Sequence, residues 1–75
     1  MTFETLLFIH KLLKEEEESA RKVYTSRRDY VSELLDLGNA TKEALAEARS
    51  MRDSADRIHS KALKALNEFE EHEWR

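Results

Sequence analysis

The single glycine of this chain is its most constraining feature. Gly38 lies almost at the midpoint of 75 residues that include no proline. Glycine adopts a positive φ without a Cβ clash, so it commonly ends an α-helix. We therefore expect two long helices, over residues about 3–37 and about 40–72, joined by a turn at 38–39. Asn39 is the predicted N-cap of the second helix.

Apolar residues recur with 4,3 spacing on both sides of the glycine, as in the seam of a coiled coil. The predicted seam of the first segment is Leu6, Ile9, Leu13, Glu16, Ala20, Val23, Arg27, Tyr30, Leu34 and Leu37. That of the second segment is wholly apolar: Ala44, Ala48, Met51, Ala55, Ile58, Ala62, Ala65 and Phe69. The sequence thus predicts an all-α antiparallel two-helix coiled-coil hairpin, a single domain over residues 1–75.

The antiparallel arrangement fixes which positions face each other. Short connections fold the chain back at the glycine, so the numbers of facing residues should sum to about 77. On that rule Glu16 approaches Lys61, and Arg27 approaches Met51. We expect the long stems of Glu16 and Arg27 to lean across the seam and place their charges in water.

Large apolar residues outside the predicted seam collect at the open end of the hairpin, where both chain termini lie. A two-helix core is marginal, and soluble monomers rarely expose large apolar patches, so these residues predict a self-association or partner interface. The simplest assembly is a homodimeric four-helix bundle. The predicted interface residues are Phe3, Leu7, Phe8, Leu12, Leu63, Leu66 and Trp74.

Basic residues on the first helix support an alternative function. Lys14, Arg21 and Arg28 recur every seven residues, with Lys22 and Arg27 beside them, and such a stripe could follow the phosphates of RNA or DNA. Acidic residues are interleaved, and the net charge of the chain is −3. The favoured prediction is a non-enzymatic protein–protein interaction module, a small regulator, adaptor or inhibitor. A dimeric nucleic-acid-binding regulator is the alternative.

Catalysis, cofactors and membrane insertion have little support in the sequence. His10, His59 and His72 do not form a two-histidine metal motif, and Glu68 with His72 is at most half of a metal site. There is no glycine-rich phosphate loop and no cysteine. We expect no enzyme activity, no metal, no cofactor and no membrane association. The lack of disulfides favours a reducing, cytoplasmic setting.

Overall fold

The protein is a helical hairpin, as the glycine and the repeat predict. The computed structural model describes residues 2–73. Helix α1 spans Phe3–Leu37 and helix α2 spans Lys42–His72, and the two pack against each other along a rod of 56 × 13 × 13 Å. The two-helix architecture predicted from the sequence is therefore confirmed.

The turn differs in one detail from the sequence prediction. Gly38 ends α1 with φ 72° and ψ 0°, the left-handed conformation expected of it. The N-cap of α2 is Thr41 rather than Asn39: its backbone is extended, and its hydroxyl accepts a hydrogen bond of 3.0 Å from the Ala44 amide. The second helix thus begins at Lys42, two residues later than predicted. Thr2 caps α1 in the same way, through the Thr5 amide.

The seam between the helices is rotated from its predicted position, because one of its two columns in each helix lies one residue later than predicted while the other is as predicted. In α2 four predicted alanine and phenylalanine positions are buried, namely Ala48, Ala55, Ala62 and Phe69. The second column of the seam is not the predicted one but its C-terminal neighbour: Leu45, Arg52, His59 and Leu66. In α1 the corresponding column is His10, Glu17, Tyr24 and Val31, beside the correctly predicted Leu6, Leu13, Ala20, Arg27 and Leu34.

The rotation has a physical cause in polar contacts that cross the seam. His59 Nε2 lies 3.2 Å from Glu17 Oε1, and the ring of His59 stacks on Tyr24 with centroids 6.3 Å apart. The polar side chains of the two shifted columns find hydrogen-bond partners only when the columns face each other. An apolar column packs without a specific hydrogen-bond partner.

The facing rule holds along the rod. The cross-helix pairs His10–Glu70, Glu17–His59 and Arg27–Met51 have position numbers that sum to 80, 76 and 78. Arg27 approaches Met51 as predicted. Glu16, in contrast, is exposed, and it is Glu17 that occupies the seam.

The core of a single hairpin is thin. Among residues 2–73, six apolar residues are buried, three of them alanines, and no side chain is less than 2% exposed. Alanine brings the helix axes together but buries little apolar surface. Most of the large apolar residues of the chain are consequently still in contact with solvent.

Candidate interaction surfaces

Large apolar residues lie uncovered on one side of the hairpin, from the middle of the rod to its turn. We call them the lateral stripe: Val23, Tyr30, Leu37, Met51 and Ile58, which are 44–69% exposed. The sequence analysis placed all five in the internal seam, and the structure contradicts that placement. The shifted columns that include Glu17 and His59 lie in the seam instead. The stripe has the same seven-residue spacing as the seam. It is therefore a second, parallel packing surface on the hairpin.

The two helices contribute to the same lateral face. A groove of about 290 Å³ near the middle of the rod is lined by residues of both helices: Glu16, Ser19, Ala20, Val23, Arg27, Ala55 and Ile58. Ala20 and Ala55 belong to the seam, and Val23 and Ile58 belong to the stripe. Small residues at the seam with larger ones beside them produce a depression that another apolar side chain can fill.

Most of the residues predicted for an interface at the open end lie on the surface of the hairpin. Five of these residues are exposed by 39–69%, on both helices and on more than one face, and we call them the open-end patch: Phe3, Leu7, Phe8, Leu12 and Leu63. Leu66 is only 9% exposed, because it lies in the rotated seam against α1. Trp74 lies outside the described residues.

The basic residues of α1 are largely matched by nearby acceptors. Arg21 lies 3.8 Å from Glu17, and Lys22 lies 3.8 Å from Glu18. Arg28 lies 3.6 Å from Asp29, while Arg27 is turned into the seam. Lys14 is exposed. The stripe predicted for phosphate binding is thus present on the surface but is locally balanced by carboxylates.

Polar contacts near the open end repeat those at the middle of the rod. His10 Nε2 lies 3.3 Å from Glu70 Oε1, and its ring stacks on Phe69 with centroids 6.0 Å apart. Both seam histidines therefore face a glutamate of the other helix. Within residues 2–73, no three side chains of the metal-ligating types are grouped closely enough to hold a metal ion.

The hydropathy of the helices bears on membrane contact. Neither α1 nor α2, over the residues described, has a stretch both long and apolar enough to cross a bilayer. The apolar residues are instead spread along stripes, alternating with charged ones.

Comparisons with known proteins add no family to this description. No protein-family model, no curated protein and no solved structure matched the chain.

The lateral stripe is the surface that sequence reasoning missed, although a signal for it is present. Each segment has apolar residues in a third column as well as in the two predicted ones, although that column also holds His10, Glu17, Arg52 and His59. Val31, Leu45 and Leu66 each stand one residue after a predicted seam position and belong to the third column. Three columns per helix are typical of bundles of four helices, whereas a two-helix seam uses two.

Proposed function

We propose that this protein is a non-enzymatic interaction module that self-associates into a four-helix bundle and presents its open-end patch to a larger protein. It would act by contact, as a small regulator, adaptor or inhibitor.

One observation carries the proposal: the lateral stripe continues the seven-residue repeat on a face that the hairpin itself leaves uncovered. Met51 and Ile58 are 44% and 59% exposed, and Tyr30 is 51% exposed. Full burial of an exposed side chain of this size is worth roughly 1.5–3 kcal/mol, and these half-exposed residues would gain only part of that on association. A hairpin in which half of the buried residues are alanines has a thin core and gains stability from such burial.

The open-end patch supports the second half of the proposal. Phe8 is 62% exposed and Leu12 is 47% exposed, on a helix whose polar positions are mostly charged. Large apolar residues at the centre of a contact surface, with charged residues around them, are the usual anatomy of a protein interface. A glutamate-rich segment, residues 15–18, follows the patch directly and favours a partner with basic residues at its rim.

The experiment compares two glutamate substitutions on α2. Ile58→Glu places a charge in the lateral stripe, whereas Ser60→Glu adds the same charge to the same helix at an exposed site away from the stripe. We expect Ile58→Glu to weaken self-association at least tenfold in sedimentation equilibrium, with helicity retained by circular dichroism. Ser60→Glu should associate like the wild type. Equal association of all three proteins would contradict the proposal.

Nucleic-acid binding is not favoured as the function. Four of the five residues that support it have an acidic or carbonyl oxygen within 3.8 Å. A phosphate would have to compete with these oxygens for the same cations. Arg21→Glu combined with Arg28→Glu tests the alternative directly: salt-sensitive RNA or DNA binding by the wild type that is lost in this variant would establish it.

A further inference from the structure

The groove on the lateral face provides a hole for one particular side chain. We propose that it receives Ile58 of a second copy of this chain, so that two hairpins lie against each other with their turns at the same end. This inference rests on the proposed self-association and specifies the contact that produces it.

The α1 wall of the groove has the spacing of a coiled-coil hole. Its four residues occupy positions i, i+3, i+4 and i+7 of the helix: Glu16, Ser19, Ala20 and Val23. Four residues with this spacing surround one point on a helix surface, and a side chain of a facing helix inserts at such a point. The two central residues are small, and the groove has a volume of about 290 Å³. It therefore has room for an apolar side chain from a neighbouring helix.

The level of the hole along the rod identifies the side chain that can enter it. Facing positions of α1 and α2 have numbers that sum to between 76 and 80. The hole is centred between Ser19 and Ala20, so positions 57–60 of α2 lie at its level, and only Ile58 among them is apolar. A two-fold axis parallel to the rod keeps every residue at its level and places α2 of the second copy against α1 of the first. Ile58 of the second copy, 59% exposed in a single hairpin, then lies over the hole.

The same register provides a hole for other residues of the lateral stripe. Met51 of the second copy comes level with the next hole of α1, between Val23 and Tyr30. Val23 of the second copy comes level with the hole of α2 between Met51 and Ile58. The two-fold axis repeats each contact, so the exposed stripe of one copy packs on the exposed stripe of the other.

The position of the stripe on the rod also favours this arrangement. The stripe lies between the middle of the rod and the turn, so a closed contact brings stripe to stripe only where the two turn halves overlap. Hairpins with their turns together overlap there and also touch along all 56 Å of the rod. A face 13 Å wide then buries about 700 Å² on each copy, close to the roughly 800 Å² per partner of stable interfaces. Opposed hairpins that overlapped only by their turn halves would bury about half as much.

Charged residues at the edges of this contact have opposing effects. Glu16 borders the hole, and Lys61 of the second copy lies at its level, which favours the contact. Nearer the turn, Glu33 comes close to Glu47 of the second copy, which opposes it. All four side chains are exposed, and exposed pairs contribute little. The fit of the apolar residues therefore determines the arrangement.

Distances between single labels test the arrangement. The chain has no cysteine, so Asn39→Cys and, separately, Lys11→Cys each provide one site for a nitroxide. Asn39 is at the turn and Lys11 is in the open-end half of α1, and both are exposed. Pulsed electron spin resonance measures the distance between the labels of the two copies. Circular dichroism and sedimentation verify that each labelled variant folds and associates as the wild type does.

With the turns together, both labels should be separated by about 20–35 Å, the span of two packed helices and their labels. About 50 Å or more at either position, in a protein with the mass of two chains, would overturn the arrangement and leave self-association intact. A long distance at position 39 would indicate opposed copies in full contact, and one at position 11 would indicate copies that overlap only by their turn halves. No distance between copies, together with the mass of one chain for the wild type, would overturn self-association itself.

Truncation of the inserted side chain tests the occupant of the hole. Ile58→Ala should weaken association about fivefold or more, because the hole is left unfilled. Leu63→Ala is the matched control, since it also shortens an exposed apolar side chain of α2 but lies outside the lateral stripe. It should associate like the wild type in sedimentation equilibrium. Equal dissociation constants for the two variants would overturn Ile58 as the occupant.

Discussion

His59 and Glu17 are joined across the middle of the hairpin, with 3.2 Å between the ring Nε2 and the carboxylate Oε1 and only 18% and 12% of their side chains exposed. This pair belongs to the column that displaces the apolar one from the seam. It ties the two helices together at a level where the facing residues Ala20 and Ala55 are small. The same carboxylate lies 3.8 Å from Arg21, so Glu17 contacts one side chain of its own helix and one of α2.

We expect Glu17→Ala to lower the free energy of unfolding by about 1–2 kcal/mol, since it leaves a half-buried histidine without its acceptor. The neighbouring Glu16→Ala should change it by less than about 0.5 kcal/mol, because Glu16 is exposed. Urea unfolding at one fixed protein concentration measures both. The sequence placed Glu16 in the seam, so a larger loss for Glu16→Ala would favour that original register over the rotated one.

Leu66 and Leu63 were both predicted as contact residues at the open end, and the structure separates them. Leu66 is 9% exposed and Leu63 is 39% exposed. Leu66→Ala should therefore cost about 2–4 kcal/mol of hairpin stability, from lost burial and the cavity that remains. Leu63→Ala should cost less than about 1 kcal/mol. Thermal unfolding followed by circular dichroism distinguishes them, and similar losses for the two variants would contradict the observed seam.

The start of the second helix gives a local test. Thr41→Ala removes the hydroxyl that accepts from the Ala44 amide, and it should destabilise the protein by about 1 kcal/mol. Asn39→Ala should have almost no effect, because Asn39 lies outside the cap. Thr41→Ser retains the acceptor and should behave like the wild type. If Asn39→Ala were the more damaging change, the helix would begin where the sequence alone suggested.

Most of the fold could be predicted because it depends on strong local signals. A lone Gly38 between two stretches free of glycine and proline leaves few alternatives to a hairpin. Once the turn is placed, chain geometry determines which positions face each other, and Arg27 accordingly approaches Met51.

The rotation of the seam could not be predicted in the same way. In both helices three neighbouring columns with seven-residue spacing could form the seam. A prediction from apolar residues alone selects the two most apolar columns. The observed choice depends on specific contacts such as Tyr24 stacking on His59, which spacing does not encode. The lateral stripe was missed for the same reason. An isoleucine such as Ile58 fits an internal seam as well as an exposed stripe, and only the structure shows that it is 59% exposed.

The cap at Thr41 was missed for a related reason. Asn39, directly after the glycine, is as good a capping residue as threonine, so residue preference alone does not separate them. The Gly38 turn continues in non-helical conformation through Ala40, and the cap falls where the chain next becomes helical.

Self-association of the hairpin is the central claim, and the mass of the untagged protein in solution tests it most directly. The chain mass is 8.9 kDa, and sedimentation equilibrium over a range of micromolar concentrations should give twice this value, with dissociation only on dilution. The melting temperature should rise with protein concentration over the same range. A protein that keeps the mass of one chain at tens of micromolar, and still unfolds cooperatively at a temperature independent of concentration, would contradict the account.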